Sequence, residues 1–235
     1  WEDPLKRDAF HTARAFIDSY FPDCQSAVLS GSVVRGEETP SSDLDIVIID
    51  REPFRKSFYY CEWPIEAFVH NQDSLKDAFF IETQHGIPLM TRLCAEGMVI
   101  KGGRDTERMI EEAKKSLIEG PSALSLNKLN ELRYAISDSL DDLEGSERPE
   151  EDIYSVSSLT ESLHQFILRS NRRWAGEGKW MYRSLRDYDE ALAGRLTECL
   201  QSFYSHQEKN KLISFVDEIL APHGGRLFHD YYARF

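Results

Sequence analysis

The chain has 235 residues, of which 41% are hydrophobic and 29% are charged, a composition that suits one large globular domain or two small ones. Its net charge of −13 argues against a general nucleic-acid binder, because phosphate contacts call for a basic face. No apolar run reaches the roughly 18 residues that a membrane span needs.

The cysteines and the first twenty residues indicate the cellular compartment of the protein. Four cysteines stand far apart and form no CxxC motif, so we predict reduced thiols and neither a disulfide framework nor a zinc site. The early residues mix charged and apolar types, unlike a secretory signal, and we predict a cytoplasmic protein. The chain begins at Trp1 rather than at Met, which leaves the completeness of its amino terminus open.

The first half of the sequence alternates helical and strand patterns. Apolar residues at helical spacing predict helices, and short apolar runs between turns predict strands. Residues 51–58 are polar, and we predict them to be irregular or helical. The predicted helices cover residues 8–20, 74–80 and 87–95. The predicted strands cover residues 27–29, 43–49, 63–70 and 98–100.

The second half carries long helical patterns instead. We predict an α+β fold, in which a mixed α/β domain over residues 1–108 precedes an antiparallel all-α bundle over residues 109–235. The change of pattern falls near residues 105–120. The helices predicted for this part cover residues 106–118, 126–143, 153–174, 179–185, 190–204 and 207–220.

One group of residues carries the chemistry. Gly31-Ser32 forms a small-residue turn before a predicted short helix, and its N–H groups and hydroxyl suit phosphates. Asp43 and Asp45 follow at the start of a strand, where side chains two residues apart share a face. Glu66 is the single carboxylate in the next apolar strand, and it completes the group if that strand lies adjacent. Carboxylate oxygens are the ligands that hard divalent cations prefer.

At these residues the sequence resembles the nucleotidyltransferase superfamily, which includes DNA polymerase β and the small antibiotic nucleotidyltransferases. The resemblance covers about residues 25–70. The helical second half is similar to that of enzymes that adenylylate aminoglycosides or lincosamides. The resemblance implies a five-stranded mixed sheet and Mg²⁺-dependent transfer of a nucleoside monophosphate, AMP from ATP, to a hydroxyl group of a small molecule such as an antibiotic, with release of pyrophosphate.

The resemblance also implies roles for individual residues. Asp43, Asp45 and Glu66 become the catalytic residues that bind two Mg²⁺ ions. Gly31 and Ser32 become the turn that binds the triphosphate of the ATP.

The helical half supplies candidates for the remaining roles. Lys179 follows a Gly-x-Gly turn in the basic stretch 168–183, and we predict that it binds the triphosphate, the alternative being a solvated face. Glu161, Glu131 and Asp138 are open candidates for the general base that deprotonates the acceptor.

Two other functions stay open on the sequence alone. One is transfer of AMP or a nucleotide to a protein or an RNA, as toxin–antitoxin enzymes do. The other is a catalytically silent nucleotide-binding protein. The acidic composition favours a small cationic acceptor over nucleic acid, and we predict no membrane partner. The oligomeric state is left open, a homodimer included.

Overall fold

The structure is a computed structural model of the chain, and it describes residues 4–232, with side chains from residue 8 onward. The chain forms two compact units, the first ending at Gly120 and the second beginning at Pro121. The predicted domain boundary between residues 108 and 109 lies inside the helix Arg104–Glu119. Ala113 of this helix is fully buried in the core of the first unit. The assignment of domains stays a prediction.

The first unit is built on a mixed sheet of five strands, as the resemblance implies. Its order is β3-β4-β2-β1-β5, with β2 and β4 parallel and the other pairs antiparallel. The strands are β1 (Ser26–Ser30), β2 (Leu44–Ile49), β3 (Phe54–Tyr60), β4 (Trp63–His70) and β5 (Met98–Lys101). The helices are α1 (Pro4–Tyr20), α2 (Ser32–Arg35), α3 (Gln72–His85), α4 (Leu89–Glu96) and α5 (Arg104–Glu119).

The two faces of β2 belong to different parts of the core. Ile46 and Ile48 are buried in the cluster that contains Phe16 of α1. Val47 is buried in the cluster on the other face, which contains residues of α3, α4 and α5. A strand covered on both faces has to be apolar along its length, which explains its sequence. Asp45 is its one polar residue, so this carboxylate needs a reason to be there.

The prediction for residues 51–58 is wrong, because most of this segment belongs to the edge strand β3. Strands β3 and β4 form a hairpin in which Tyr60 pairs with Trp63 across a two-residue turn. Both turn residues, Cys61 and Glu62, have positive φ, at 47° and 66°. Such turns usually use Asn or Gly. Their absence hid the hairpin from the sequence analysis.

Helix α3 is longer than predicted, and a residue in its last turn caps the amino-terminal end of helix α4. It runs from Gln72 to His85, with Asn71 as its N-cap, whereas the sequence indicated residues 74–80. Glu82 in its last turn accepts the backbone N–H groups of Met90 and Thr91 at 2.5 and 2.9 Å. The carboxylate thus satisfies N–H groups at the start of α4, which its own N-cap residue leaves unbonded.

The second unit is all-helical, as predicted. Its helices are α6 (Leu126–Gly145), α7 (Pro149–Ser170), α8 (Lys179–Tyr188), α9 (Glu190–His206) and α10 (Lys209–Leu220). Helix α7 starts at Pro149, before the predicted residue 153, because proline suits the first turn of a helix. It ends at Ser170, before the predicted residue 174. Across the described residues 4–232, every helix is too short or too polar to cross a membrane.

Candidate active site

Three carboxylates meet at one end of β2. The parallel pairing of β2 and β4 aligns Asp45 with Glu66, and Asp43 lies one residue before β2 begins. One oxygen atom from each of the three lies within 4.8 Å of the others. The structure therefore brings together the three residues that the sequence singles out, and we call this group the carboxylate triad.

The triad raises the pKa of its central member. Burial, together with the negative charges of Asp43 and Glu66, raises the pKa of Asp45 to about 7. Arg35 and Arg55 oppose it only in part. A buried carboxylate between two others is unfavourable when ionised. A divalent cation would remove that cost, and carboxylate oxygens are the donors it prefers.

Gly31 makes room for the Asp45 carboxylate. Its φ of +82° lies in the left-handed region that favours glycine. A Cβ atom at this position would lie 2.1 Å from Oδ2 of Asp45. The glycine of the Gly-Ser turn is thus required twice, by the backbone and by the carboxylate packed against it.

The Ser30 hydroxyl is a buried group without a partner. Ser30 pairs with Asp45 across β1 and β2, so both side chains lie on the same face of the sheet. Its side chain is fully buried, and its Oγ has no hydrogen-bond partner among the described residues. Leaving such a group unbonded costs about 1–3 kcal/mol. The carboxylate triad and this free hydroxyl together fit a divalent cation and its surrounding ligands.

Ser32 follows in α2 and is tied to the loop before β2. Its hydroxyl donates a hydrogen bond to Oγ of Ser42 at 3.0 Å. The Oγ atom of Ser42 also accepts the N–H of Thr39 at 2.9 Å. These bonds fix the loop that leads to Asp43. The predicted contact of Gly31 and Ser32 with a triphosphate stays a prediction.

Arg55 on β3 is a charged neighbour that the sequence analysis missed. Its Nε and Nη2 atoms lie 2.8 and 2.7 Å from the same oxygen, Oε1 of Glu66. Its guanidinium also lies 4.9 Å from the ring centroid of Phe68. Arg55 was missed because the sequence analysis did not predict strand β3. The aromatic residues at alternate positions 54, 58 and 60 were the signal that could have revealed the strand.

Arg35, which closes α2, forms ion pairs. Its side chain lies 3.0 Å from Oε2 of Glu37 and 3.2 Å from Oε2 of Glu96. These contacts hold Arg35 beside the triad, where its charge lowers the pKa of Asp45.

Lys179 is the first residue of α8, in the second unit, and it is exposed. The turn before it is held by His164, whose Nε2 accepts the N–H of Gly176 at 3.0 Å. Burial lowers the pKa of His164 to about 4, so this acceptor is neutral at physiological pH. The role of Lys179 at the triphosphate stays a prediction.

The three general-base candidates also lie in the second unit. Asp138 and Glu161 are exposed, and Glu131 forms an ion pair with Lys128. The structure favours none of them over the others.

Cavity volume alone does not locate the chemistry. A cavity of about 610 Å³ lies near Ser26, Ile49 and Lys76, at the end of β2 that is opposite the carboxylate triad. None of its lining residues belongs to the triad. We place the candidate site at the triad, because converging carboxylates have a chemical use that a mixed lining lacks.

A mixed sheet that gathers three carboxylates beside a Gly-Ser turn is the arrangement that the sequence resemblance to nucleotidyltransferases implies. Residues 12–115 match the nucleotidyltransferase domain family. This match supports the resemblance to the nucleotidyltransferase superfamily over a segment that makes up less than half of the chain.

Two further comparisons add little. No curated protein sequence matches the chain significantly. Among solved structures, a nucleotidyltransferase-like protein from Exiguobacterium sibiricum 255-15 is similar at a TM-score of 0.48 and 12% sequence identity. The match covers 91% of this chain and 74% of that one.

Proposed function

We propose that the protein transfers AMP from ATP to a hydroxyl group of a small molecule, with Mg²⁺ ions bound by the carboxylate triad. The observation that supports this proposal is the meeting of Asp43, Asp45 and Glu66 within 4.8 Å. Bound cations would neutralise the charge of the triphosphate and of the attacking oxygen.

The proposed reaction is one displacement at phosphorus. The acceptor oxygen forms a bond to the α-phosphorus, and the bond from that phosphorus to the bridging oxygen breaks, so that pyrophosphate leaves. The hydroxyl proton passes to a base, which the sequence and the fold leave open. Gly31 and Ser32 bind the triphosphate through backbone N–H groups and a hydroxyl.

The charge of the chain guides the choice of acceptor. A net charge of −13 attracts cationic molecules and disfavours nucleic acid. This supports a small amine-bearing acceptor, of which aminoglycoside antibiotics are one kind. The cytoplasmic location predicted from the sequence belongs to the same proposal.

Pyrophosphate release tests the proposal directly. Purified protein is incubated with Mg²⁺, ATP and a panel of amino sugars and cyclitols, and we compare the wild type with Asp45→Asn. Asp50→Asn is the matched control, because Asp50 directly follows the other end of the same strand. We expect Asp45→Asn to lower the rate at least about a thousandfold and Asp50→Asn to leave it unchanged.

Other outcomes separate the alternatives. Equal pyrophosphate release by the wild type and Asp45→Asn would contradict the proposal. Label that moves from ATP onto protein or RNA in a lysate would favour a macromolecular acceptor. Tight ATP binding without release across the panel would indicate a silent nucleotide-binding protein.

A further inference from the structure

A small pocket opens beside the carboxylate triad, on the side of the edge strand β3. Its volume is about 230 Å³. Asp43 and Glu66 line it from the triad, and Ser57, Tyr59 and Pro64 line it from the hairpin. We call it the β3 pocket. Pockets for drug-sized ligands measure about 300–1,000 Å³, so this one suits a single ring of a larger molecule.

The register of the hairpin places every second β3 side chain on the same face of the sheet as the carboxylate of Glu66. Ser57 pairs with Glu66 and Tyr59 pairs with Pro64, so these side chains lie on the face that carries Glu66. Arg55, two residues before Ser57, confirms the direction by its ion pair with Glu66. The alternate residues Phe58 and Tyr60 point the other way.

Tyr59 has no packing role that explains it. Phe58 and Tyr60 lie against Phe16 of α1, with ring centroids 5.0 and 5.7 Å away. Tyr59 is 85% exposed, although it stands between them. An open aromatic ring next to catalytic carboxylates offers a flat apolar surface and a hydroxyl to a ligand.

The strand order separates the two substrates. The Gly31-Ser32 turn follows β1, which flanks β2 on one side, whereas β4 and β3 lie on the other side. In the proposed reaction the attacking oxygen and the leaving pyrophosphate stand on opposite sides of the α-phosphorus. If the triphosphate lies at the turn, the acceptor enters from the β3 side.

We propose that the β3 pocket is the acceptor subsite. One ring of a sugar or cyclitol lies on Tyr59 and directs a hydroxyl group at Asp43 and Glu66. The Ser57 hydroxyl exchanges hydrogen bonds with a neighbouring substituent of that ring. The acidic lining favours rings that carry amino groups. This proposal rests on the proposed function and adds where the acceptor binds and which kind of ring it presents.

Steady-state kinetics with separately varied ATP and acceptor test this assignment. The acceptor is the one that the wild type uses best in the panel of amino sugars and cyclitols. The variants are Tyr59→Ala, Tyr59→Phe and Ser57→Ala, and Lys56→Ala is the control on the opposite face of the same strand. Calorimetric titration with Mg²⁺ and ATP, without acceptor, measures nucleotide binding separately, and circular dichroism checks folding.

We expect Tyr59→Ala to raise the KM for the acceptor about tenfold, with the KM for ATP and nucleotide binding within about twofold of wild type. Tyr59→Phe keeps the ring and should behave like the wild type, and Ser57→Ala should show a smaller rise. An unchanged acceptor KM in Tyr59→Ala, or a rise in the KM for ATP instead, would overturn the subsite alone. Absence of transfer by the wild type would overturn the proposed function and, with it, the subsite.

Discussion

Each unit gathers three carboxylates at one place, and the two groups are neutralised differently. In the second unit, Asp141, Glu144 and Asp217 surround Arg226, whose nitrogens lie 3.0, 2.7 and 2.8 Å from them. Hydrogen bonds from that guanidinium lower the pKa of Glu144. This group therefore contains its own cation.

The carboxylate triad of the first unit behaves in the opposite way. Arg55 contacts a single oxygen of Glu66, and the pKa of Asp45 is raised to about 7 by burial and by its acidic neighbours. Proximity of three acids does not by itself indicate a metal site. The direction of the pKa shift separates a group that is complete from one that suits an added cation.

Among the changes that leave every carboxylate in place, Gly31→Ala should produce the largest effect, because it disturbs the geometry of the triad. The new Cβ would lie 2.1 Å from Oδ2 of Asp45 and must displace it. We expect the rate of pyrophosphate release to fall by roughly a hundredfold. The control is Gly225→Ala, where φ is also positive at 72° but no atom lies within 4 Å of the added Cβ. Equal losses in both variants would assign the effect to backbone strain and contradict this explanation.

The next largest effect is the pH dependence of stability, which should distinguish the carboxylate triad from the carboxylates around Arg226. In protein freed of metal by a chelator, Asp45 has a folded pKa of about 7 against an ordinary value of 3.8. Because the pKa of the Asp45 carboxyl is raised, the protonated group stabilises the fold fully below pH 3.8. This stability, up to roughly 4 kcal/mol, is lost as the pH rises from there through 7.

Calorimetric melting between pH 4 and pH 8 measures this loss. We expect Asp45→Asn to flatten the decline, because the amide is neutral throughout, and saturating Mg²⁺ to restore stability in the wild type. The same decline in the wild type and in Asp45→Asn would show that another group is responsible.

Arg226→Ala should break the complete group of the second unit. It leaves three carboxylates without their cation, although they are partly exposed, and we expect a loss of about 2 kcal/mol of unfolding free energy. Arg186→Ala is the control, because its ion pair with Asp187 is exposed to solvent and should contribute little to the unfolding free energy. Urea titration compares the two. A loss no larger than that of Arg186→Ala would mean that water neutralises these acids as well as Arg226 does.

The smallest effect concerns the hairpin that carries Arg55 to the triad. Glu62 adopts a φ of 66°, which costs a residue with a side chain about 1 kcal/mol relative to glycine. We therefore expect Glu62→Gly to raise the unfolding free energy by about 1 kcal/mol, measured by urea titration, with pyrophosphate release unchanged. A decrease would indicate that the Glu62 side chain makes a contribution larger than the strain.

The sequence predicted the parts of the site that depend on local pattern. The apolar runs around Asp45 and Glu66 identified two strands, and the alternation along the first of them placed Asp43 and Asp45 on one face. Strand β3 escaped prediction, because its turn uses Cys61 and Glu62 instead of the residues that mark hairpins. The free hydroxyl of Ser30 also escaped, since only the pairing of β1 with β2 shows that it faces Asp45.

The path of the chain between β2 and β4 has a consequence for folding. The chain leaves β2, turns back at the sheet edge in the β3–β4 hairpin, and returns so that Glu66 reaches Asp45. Hairpins form within microseconds, and closing a short loop costs little entropy. We therefore expect the triad to assemble early, as the hairpin docks on β2. The catalytic centre would then form from one short stretch of chain, residues 31–66, before more distant segments find their places.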